Sequence, residues 1–388
     1  MTAWRTRALG NLCRFSNGLW KGEKPPFVSV GVIRNTNFNK EGTLDYSDIA
    51  QLEVEATKLE KRRLQFGDII LEKSGGGPKQ PVGRVALFDR HAGDFSFSNF
   101  TAALRVLEPD ELDFRFLHRF LHWNYLSGVT EAMQSHSTGI RNLDADAYKA
   151  IEVSYPPLPE QQRIVGILDE AFAAIAAARA NTEQNLRSAR EVFESYLQSV
   201  FSQRGDDWLV STIDQISTNL DSQRIPITKI DRASGEIPYY GASGIVDYVA
   251  DHIFDGDSLL ISEDGANLLA RSTPIAFSVS GKYWVNNHAH VLKFANMATQ
   301  RYVEFYLGSV KLDAFITGAA QPKLTQKALN AIPIPIPESI DAQAGIVQSL
   351  EAVSQGTERL SAVFEQKLAA LDALKQSLLH QAFTGALT

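Results

Sequence analysis

The chain has 388 residues, 44% of them hydrophobic and 21% charged, with a formal net charge of −7. That length admits two domains, and the balance excludes a disordered polypeptide. The single cysteine, Cys13, excludes an internal disulfide and a multi-cysteine zinc site, and the acidic balance counts against nucleic acid unless basic groups are locally concentrated.

Residues 1–12 carry arginines without a following apolar segment, and no apolar run reaches membrane-span length, so a cytoplasmic protein is expected. Residues 1–155 read as short β-like runs between turns. Residues 27–33 (FVSVGVI), 68–71, 84–88 and 102–107 are β-branched or alternating, with SGGGP (74–78) and HAGD (91–94) as turn signals. Residues 114–125 (FRFLHRFLHWNY) space Phe116, Leu117, Phe120 and Leu121 as a helix does. A mixed α+β domain is predicted, followed by a stiff, proline-rich junction, SYPPLPEQ (154–161), that launches the helix after it.

Residues 159–202 read as one long helix. Pro159 suits a first helical position, Glu160 complements the positive end of the helix dipole, and Gly205 ends the run. Ile164, Ile167, Leu168, Ala171, Ile175, Ala178, Leu186, Phe193, Leu197 and Val200 fall on one stripe. Residues 343–384 repeat this stretch without a gap, 182 positions later: Ile164 and Val165 recur as Ile346 and Val347, and Leu168 as Leu350. In the second copy Leu360, Phe364, Lys367, Leu371, Leu374 and Leu378 have coiled-coil spacing.

Between the helices, residues 205–337 repeat the first domain more loosely. FGDIILEKSGG (66–76) resembles FDGDSLLISEDG (254–265), and residues 114–125 are set against 302–315. The second helix starts where the second domain ends, so packing along the first means running back. The expected fold is therefore α+β: two pseudo-repeated mixed α/β domains separated by an antiparallel coiled coil of two helices about 60 Å long, with an approximate internal two-fold. The boundaries read as 1–155, 156–204, 205–337 and 338–388.

Two β-rich domains, each followed by a PLPEQQRIV-like junction and a long helix, closely resemble the specificity subunit of type I restriction-modification systems. YYGASGIVDYV (239–249), FDGDSLLISEDGANL (254–268) and WVNNHAHVLKF (284–294) resemble a target recognition domain of that family, and the resemblance covers essentially the whole chain. It implies a chain without catalysis, whose domains each read one half of a split double-stranded DNA site. The helices would set the gap and dock two methyltransferase subunits, with motor-nuclease subunits joining for cleavage. S-adenosylmethionine, ATP and Mg²⁺ would belong to those partners, none to this chain. The first domain has FVSVGVIRNTNF (27–38) in place of the YYGASG-type string, so an asymmetric target is expected.

KSGGGPKQPVGR (73–84) holds three basic residues and no acid. Gly75 and Gly76 would let backbone approach phosphate, and Lys73, Lys79 and Arg84 would neutralise it, or in the case of Arg84 read guanine. The bland alternative is a solvated hairpin tip. Its counterpart DGANLLAR (264–271) offers Asn267 and Arg271, opposed by Glu263 and Asp264. Asn286, Asn287 and His288 precede a strand-like run, where amides suit adenine's edge but equally satisfy buried backbone. Arg141 and Lys323 stand at equivalent places near the domain ends, as phosphate contacts or as plain surface charge. The junction residues Pro159, Gln161, Gln162 and Arg163 are candidates for subunit docking.

His288 and His290 lack an obvious third metal ligand, and no metal site is assigned. There is no GxxxxGK[ST], GxGxxG, HExxH or Asn-Pro-Pro-Tyr string, so catalysis is expected from partners. The competing reading is a cytosolic coiled-coil scaffold with protein-binding ends, which co-purification with a methyltransferase would separate from the first.

Overall fold

The computed structural model describes residues 4–19, 21–77, 80–137, 140–205, 207–318 and 320–387, apart from the side chains of 136 and 137. Four helices organise it: α1 (Phe114–Leu126), α2 (Leu158–Ser202), α3 (Met297–Ser309) and α4 (Ile340–Phe383). The chain divides into two compact units, Met1–Asn181 with Lys367–Thr388, and Thr182–Gln366. Both cuts fall inside a long helix, so α2 and α4 each contribute to both units.

The first unit is built on an antiparallel sheet in the order Cys13–Asn17, Thr101–Val106, Ile69–Glu72, Val85–Leu87. All four side chains of Ile69–Glu72 are buried because the strand is covered on both faces. Ile69 and Leu71 pack with Phe116, Leu117, Phe120 and Leu121 of α1, while Ile70 packs with Ile33 and Phe97 of a second sheet. That sheet runs Ala50–Glu55, Phe27–Ile33, Phe95–Phe97, with the last pair parallel. Asp113 starts α1 by accepting from the Arg115 and Phe116 amides, a cap that contributes about 1 kcal/mol. Arg5–Ala8 pairs with Glu152–Tyr155 at the approach to α2.

The second unit repeats these pairings. Its main sheet is Ser217–Asn219, Ala289–Phe294, Ser258–Ser262, Ala276–Val279, and its second sheet again contains a parallel pair, Ser234–Gly241 with Lys282–Val285. Trp208–Thr212 pairs with Pro333–Pro337 as Arg5–Ala8 does with Glu152–Tyr155. One alignment is corrected. The counterpart of residues 114–125 is α3, not 302–315: Phe120 and Leu121 of α1 correspond to the buried Tyr302 and Val303, 182 positions on. The two helices share few residue types, so similarity of letters misplaced them where burial does not.

In the first unit α2 and α4 run antiparallel: Arg163 Nη2 donates to the Leu387 carbonyl (2.6 Å) and Arg179 pairs with Asp372 (2.5 Å). In the second unit Arg190 pairs with Glu365 (3.2 Å), and Leu197 and Phe201 share a core with Val347 and Leu350. The stripe expected on α2, from Ile164 to Val200, is buried or half-buried at every position. Leu168 and its repeat Leu350 are each fully buried, worth roughly 2 kcal/mol apiece.

The seam expected on α4 needs correction. Leu360 and Leu374 are 51% and 47% exposed and Lys367 is exposed, whereas Phe364, Leu371 and Leu378 face inward together with Thr357, Ser361, Leu368 and Lys375. This helix carries two stripes with the same three-and-four spacing, displaced by one residue over part of their length. Periodicity cannot rank them; packing against α2 selects the stripe containing small residues. The charge in the seam is Lys375, whose ammonium lies over the Phe172 ring (5.3 Å) and whose pKa burial lowers.

Candidate nucleic-acid interface

The glycine segment of the first unit is ordered by pairing. Ser74–Gly75 adds to the hairpin Gln134–Ser137 and Ile140–Leu143, setting Gly75 opposite Arg141. Gly75 and Gly76 have φ of 117° and 59°, in the region that excludes most side chains, and a Cβ at Gly76 would meet the Gln80 carbonyl at 2.8 Å. Lys73 Nζ donates to Asn17 Oδ1 (2.9 Å), and burial lowers its pKa. Lys73, Gly75, Gly76 and Arg141 are thus brought together, while Lys79 lies outside the described residues.

Arg84 departs from the guanine-reading expectation. Its Nε and Nη2 grip both oxygens of the fully buried Glu72 (2.7 and 3.0 Å), and Nη2 also donates to the Asn35 carbonyl (3.1 Å). A buried carboxylate needs a paired cation, and Glu72 takes the guanidinium inward. Around this pair lies a cleft of about 750 Å³ bordered by Asn35, Thr36, Phe38 and Gln80. These residues were missed in the sequence; the polar run after the strand Phe27–Ile33, RNTNF, was the available signal.

In the second unit two candidates are structural. Arg271 has φ of 51° and spends its guanidinium on the carbonyls of Leu268, Leu307 and Val310 (3.0–3.1 Å), where burial lowers its pKa. Asn267 staples the same loop, donating to the Thr273 carbonyl (3.0 Å) and accepting from the Thr273 amide (3.1 Å). Both are corrections: orphan carbonyls at the end of α3 and backbone groups in and after the one-turn helix Asn267–Ala270 claimed the polar side chains.

Asn286 is nearly buried and accepts from the His288 amide (2.8 Å), so it shapes the turn, whereas Asn287 is exposed. His288 Nδ1 lies 2.9 Å from both Asp264 oxygens. Lys323 bridges to Asp264 through backbone and reaches Glu263 with its ammonium (3.1 Å). The amides of Leu143 and Leu324 make the same bond, to the carbonyls of Lys73 and Glu263, so Lys323 opposite Asp264 takes the place of Asn142 opposite Ser74; Arg141, opposite Gly75, stands one residue earlier on the corresponding strand.

Beneath Lys323 lies a charged cluster that the sequence reading overlooked. His290 Nδ1 meets Asp221 Oδ2 (2.6 Å) and its Nε2 donates to the Leu324 carbonyl (2.8 Å); Arg224 reaches Glu263 (2.8 Å). Asp221, Glu263 and His290 are close enough together to hold a metal ion. Arg224 and Lys323 already supply positive charge there.

The junction candidates divide. Gln161 is fully buried: its Nε2 donates to the carbonyls of Glu111 (2.9 Å) and Pro156 (2.8 Å), and its Oε1 accepts from the Asp113 amide (2.8 Å). It fastens the start of α2 to the cap of α1, so the docking expectation for it is corrected. Its repeat, Gln343, likewise donates to the Pro337 carbonyl (2.8 Å) and accepts from Thr299 Oγ1 (2.6 Å). Pro159, Gln162 and Arg163 are exposed.

No described helix is long and apolar enough to cross a membrane. Residues 1–186 and 205–368 match the type I restriction modification DNA specificity domain, once in each half of the chain. A putative type I restriction enzyme specificity subunit of Haemophilus influenzae, S.HindORF215P, is 34% identical over 41% of this chain and 40% of its own length. The EcoprrI specificity subunit of Escherichia coli is 24% identical over 68% of this chain and 67% of its own. Among solved structures, a chain from work on assembly and conformational transition of the type I R-M system has a TM-score of 0.77 at 16% identity, covering 98% of this chain and 97% of that one. The HsdS subunit of Thermoanaerobacter tengcongensis has 0.65 at 16% identity over 98% and 97%. The chain belongs to the type I restriction-modification DNA specificity family, whose members are non-catalytic, DNA-recognising subunits.

Proposed function

We propose that each unit reads one half of a bipartite, asymmetric DNA site, and that the helices set the gap between the halves. The observation that carries this reading is the repeated strand pairing that puts a cation on the corresponding short strand of each unit, Arg141 in the first and Lys323, one position further along, in the second, beside loops whose chemistry differs. Cations on corresponding strands suit phosphate positioning, and different neighbouring side chains suit different bases. Lys73, Gly75, Gly76 and Arg141 form the contact surface of the first unit. Asn287, His288 and Lys323 form that of the second, with Asn286 shaping the turn.

Two methyltransferase subunits dock on the helices, at Pro159, Gln162 and Arg163 and along the outer stripe of α4 that includes Leu360 and Val363, both more than half exposed. Motor-nuclease subunits join that assembly, which works in the cytoplasm where the DNA is. S-adenosylmethionine, ATP and Mg²⁺ serve those partners, and this chain needs no cofactor. Methylome sequencing with the wild-type chain and with Asn287→Ala tests the reading. One half-site should relax while the other half and the gap stay fixed; changes in both halves, or in neither, would refute it.

A further inference from the structure

The 182-residue repeat supplies a template for a cleft in the second unit. In the first unit Arg119 ties α1 to α2 through Asp169 (2.8 Å), and Phe172 fills the space beside that ion pair. The Phe172 ring is covered by two cations, the Arg119 guanidinium at 5.1 Å and the Lys375 ammonium at 5.3 Å. In the second unit the same ion pair recurs as Arg301–Glu351 (3.0 Å), each partner 182 positions on. Ser354 stands where Phe172 stood and Phe193 where Lys375 would fall, so both the ring and its second cation are missing.

What remains is a cleft of about 680 Å³ that Phe193, Ile275 and Phe305 line as apolar surface, with Ser354, Glu194 and Glu358 also on its walls. Arg271 and Arg301 border it too, but Arg271 is spent on backbone carbonyls and Arg301 on Glu304, Glu351 and the Phe305 ring (5.0 Å). The corresponding positions of Glu194 and Glu358 are Gln376 and Ala176, so this second copy is both emptier and more acidic. Arg301 compensates Glu304 and Glu351, but among the described residues no ion pair reaches Glu194 or Glu358. An apolar wall beside uncompensated carboxylates favours an occupant with an aromatic body and a positive charge.

We propose that this cleft receives an aromatic side chain carried on a basic segment of a protein partner, doing between chains what Phe172 does within one. The partner class rests on the assembly reading above, and the probe is the purified methyltransferase subunit. Ser354→Phe refills the cleft with the ring that the first unit already accommodates at the equivalent position. Glu194→Lys with Glu358→Lys reverses the uncompensated charge on the exterior of the helices and leaves the core alone.

Calorimetric titration of the methyltransferase subunit into the full chain should show at least a tenfold loss of affinity for one binding step in each variant, with unfolding temperatures near wild type. Raising salt should weaken that step in the wild type and strengthen it in the lysine variant, where like charges now meet. Wild-type affinity in the lysine variant overturns the proposal, whether or not Ser354→Phe folds. A cleft occupied instead by a second copy of this chain would appear as a wild-type dimer lost in Ser354→Phe, and would overturn it equally. If the wild-type chain binds no methyltransferase subunit, the assembly reading falls and takes this proposal with it, an outcome distinct from unaltered binding by the variants.

Discussion

The two units share their strand pairing and part company at the end of the central strand. In the first, Glu72 is buried against a single guanidinium, Arg84, in a closed bidentate pair. In the second, the carboxylate that follows that strand, Glu263, joins a wider network with Arg224, Lys323, His290 and Asp221. The ladder is indifferent to this choice, since its hydrogen bonds are made by backbone. A reader of DNA can therefore change its charged chemistry without changing its fold. The neutral ionisable groups differ as well: the first unit buries His118 and His122, one turn apart on α1, where the second has Gln300 and Glu304.

The largest contrast should come from the carboxylates. Glu72→Ala leaves Arg84 largely desolvated without its partner and should cost about 3–5 kcal/mol, confined to the first unit. Glu263→Ala should cost the second about 2 kcal/mol, because its neighbours retain Asp221. Denaturant titration with hydrogen exchange as the local readout compares them; equal losses would mean that the closed pair and the network are not energetically different.

Acid should separate the units next. Burial lowers His118 to about 3 and His122 to about 4; His122 and Arg119 add to the effect at His118, and Lys375 and Arg119 at His122. Imidazoles depressed in the folded state stabilise fully above their unfolded value near 6.5, and that stability drains away as pH falls toward the folded values. For Asp221 burial alone would raise the pKa, but the hydrogen bond and charge of His290 outweigh it; for Glu263 the bonds of Arg224 and Lys323 do the same. Carboxylates held low keep their contribution until pH drops below about 4. Between pH 7 and 5 the first unit should lose on the order of 3 kcal/mol while the second holds. Hydrogen exchange corrected for intrinsic rates would show this, and His118→Gln with His122→Glu should narrow the gap.

The smallest contrast concerns the two cations on the corresponding short strands. Arg141→Ala and Lys323→Ala should each weaken DNA binding by the assembled complex by about 1 kcal/mol, without changing the sequence read, and each should reduce the salt slope by about one. A change in base preference at either position would show that the bridge reads rather than positions.

Much of the architecture was legible in the chain because the repeat is written in the helices. Ile164, Leu168 and Leu350 recur in register, since a slipped residue would leave the core. The SGGGP turn was legible as well, from its composition, whereas the positive φ of Gly75 and Gly76 came from the structure. The fates of polar side chains were not legible. Arg84, Arg271, Asn267 and Gln161 all looked like surface chemistry, yet each was recruited by a buried group distant in sequence or by orphan carbonyls.

The amino-acid order by itself determined the two-fold repetition, the long helices and the α+β character of each unit, because periodicity and turn chemistry are local properties. Only the tertiary structure decided which of two stripes on α4 faces inward, which cations are taken up by buried carboxylates and carbonyls, and that Ser354 leaves space where Phe172 leaves none. Those outcomes depend on what lies across the gap, and that neighbour is supplied by folding rather than by adjacency along the chain.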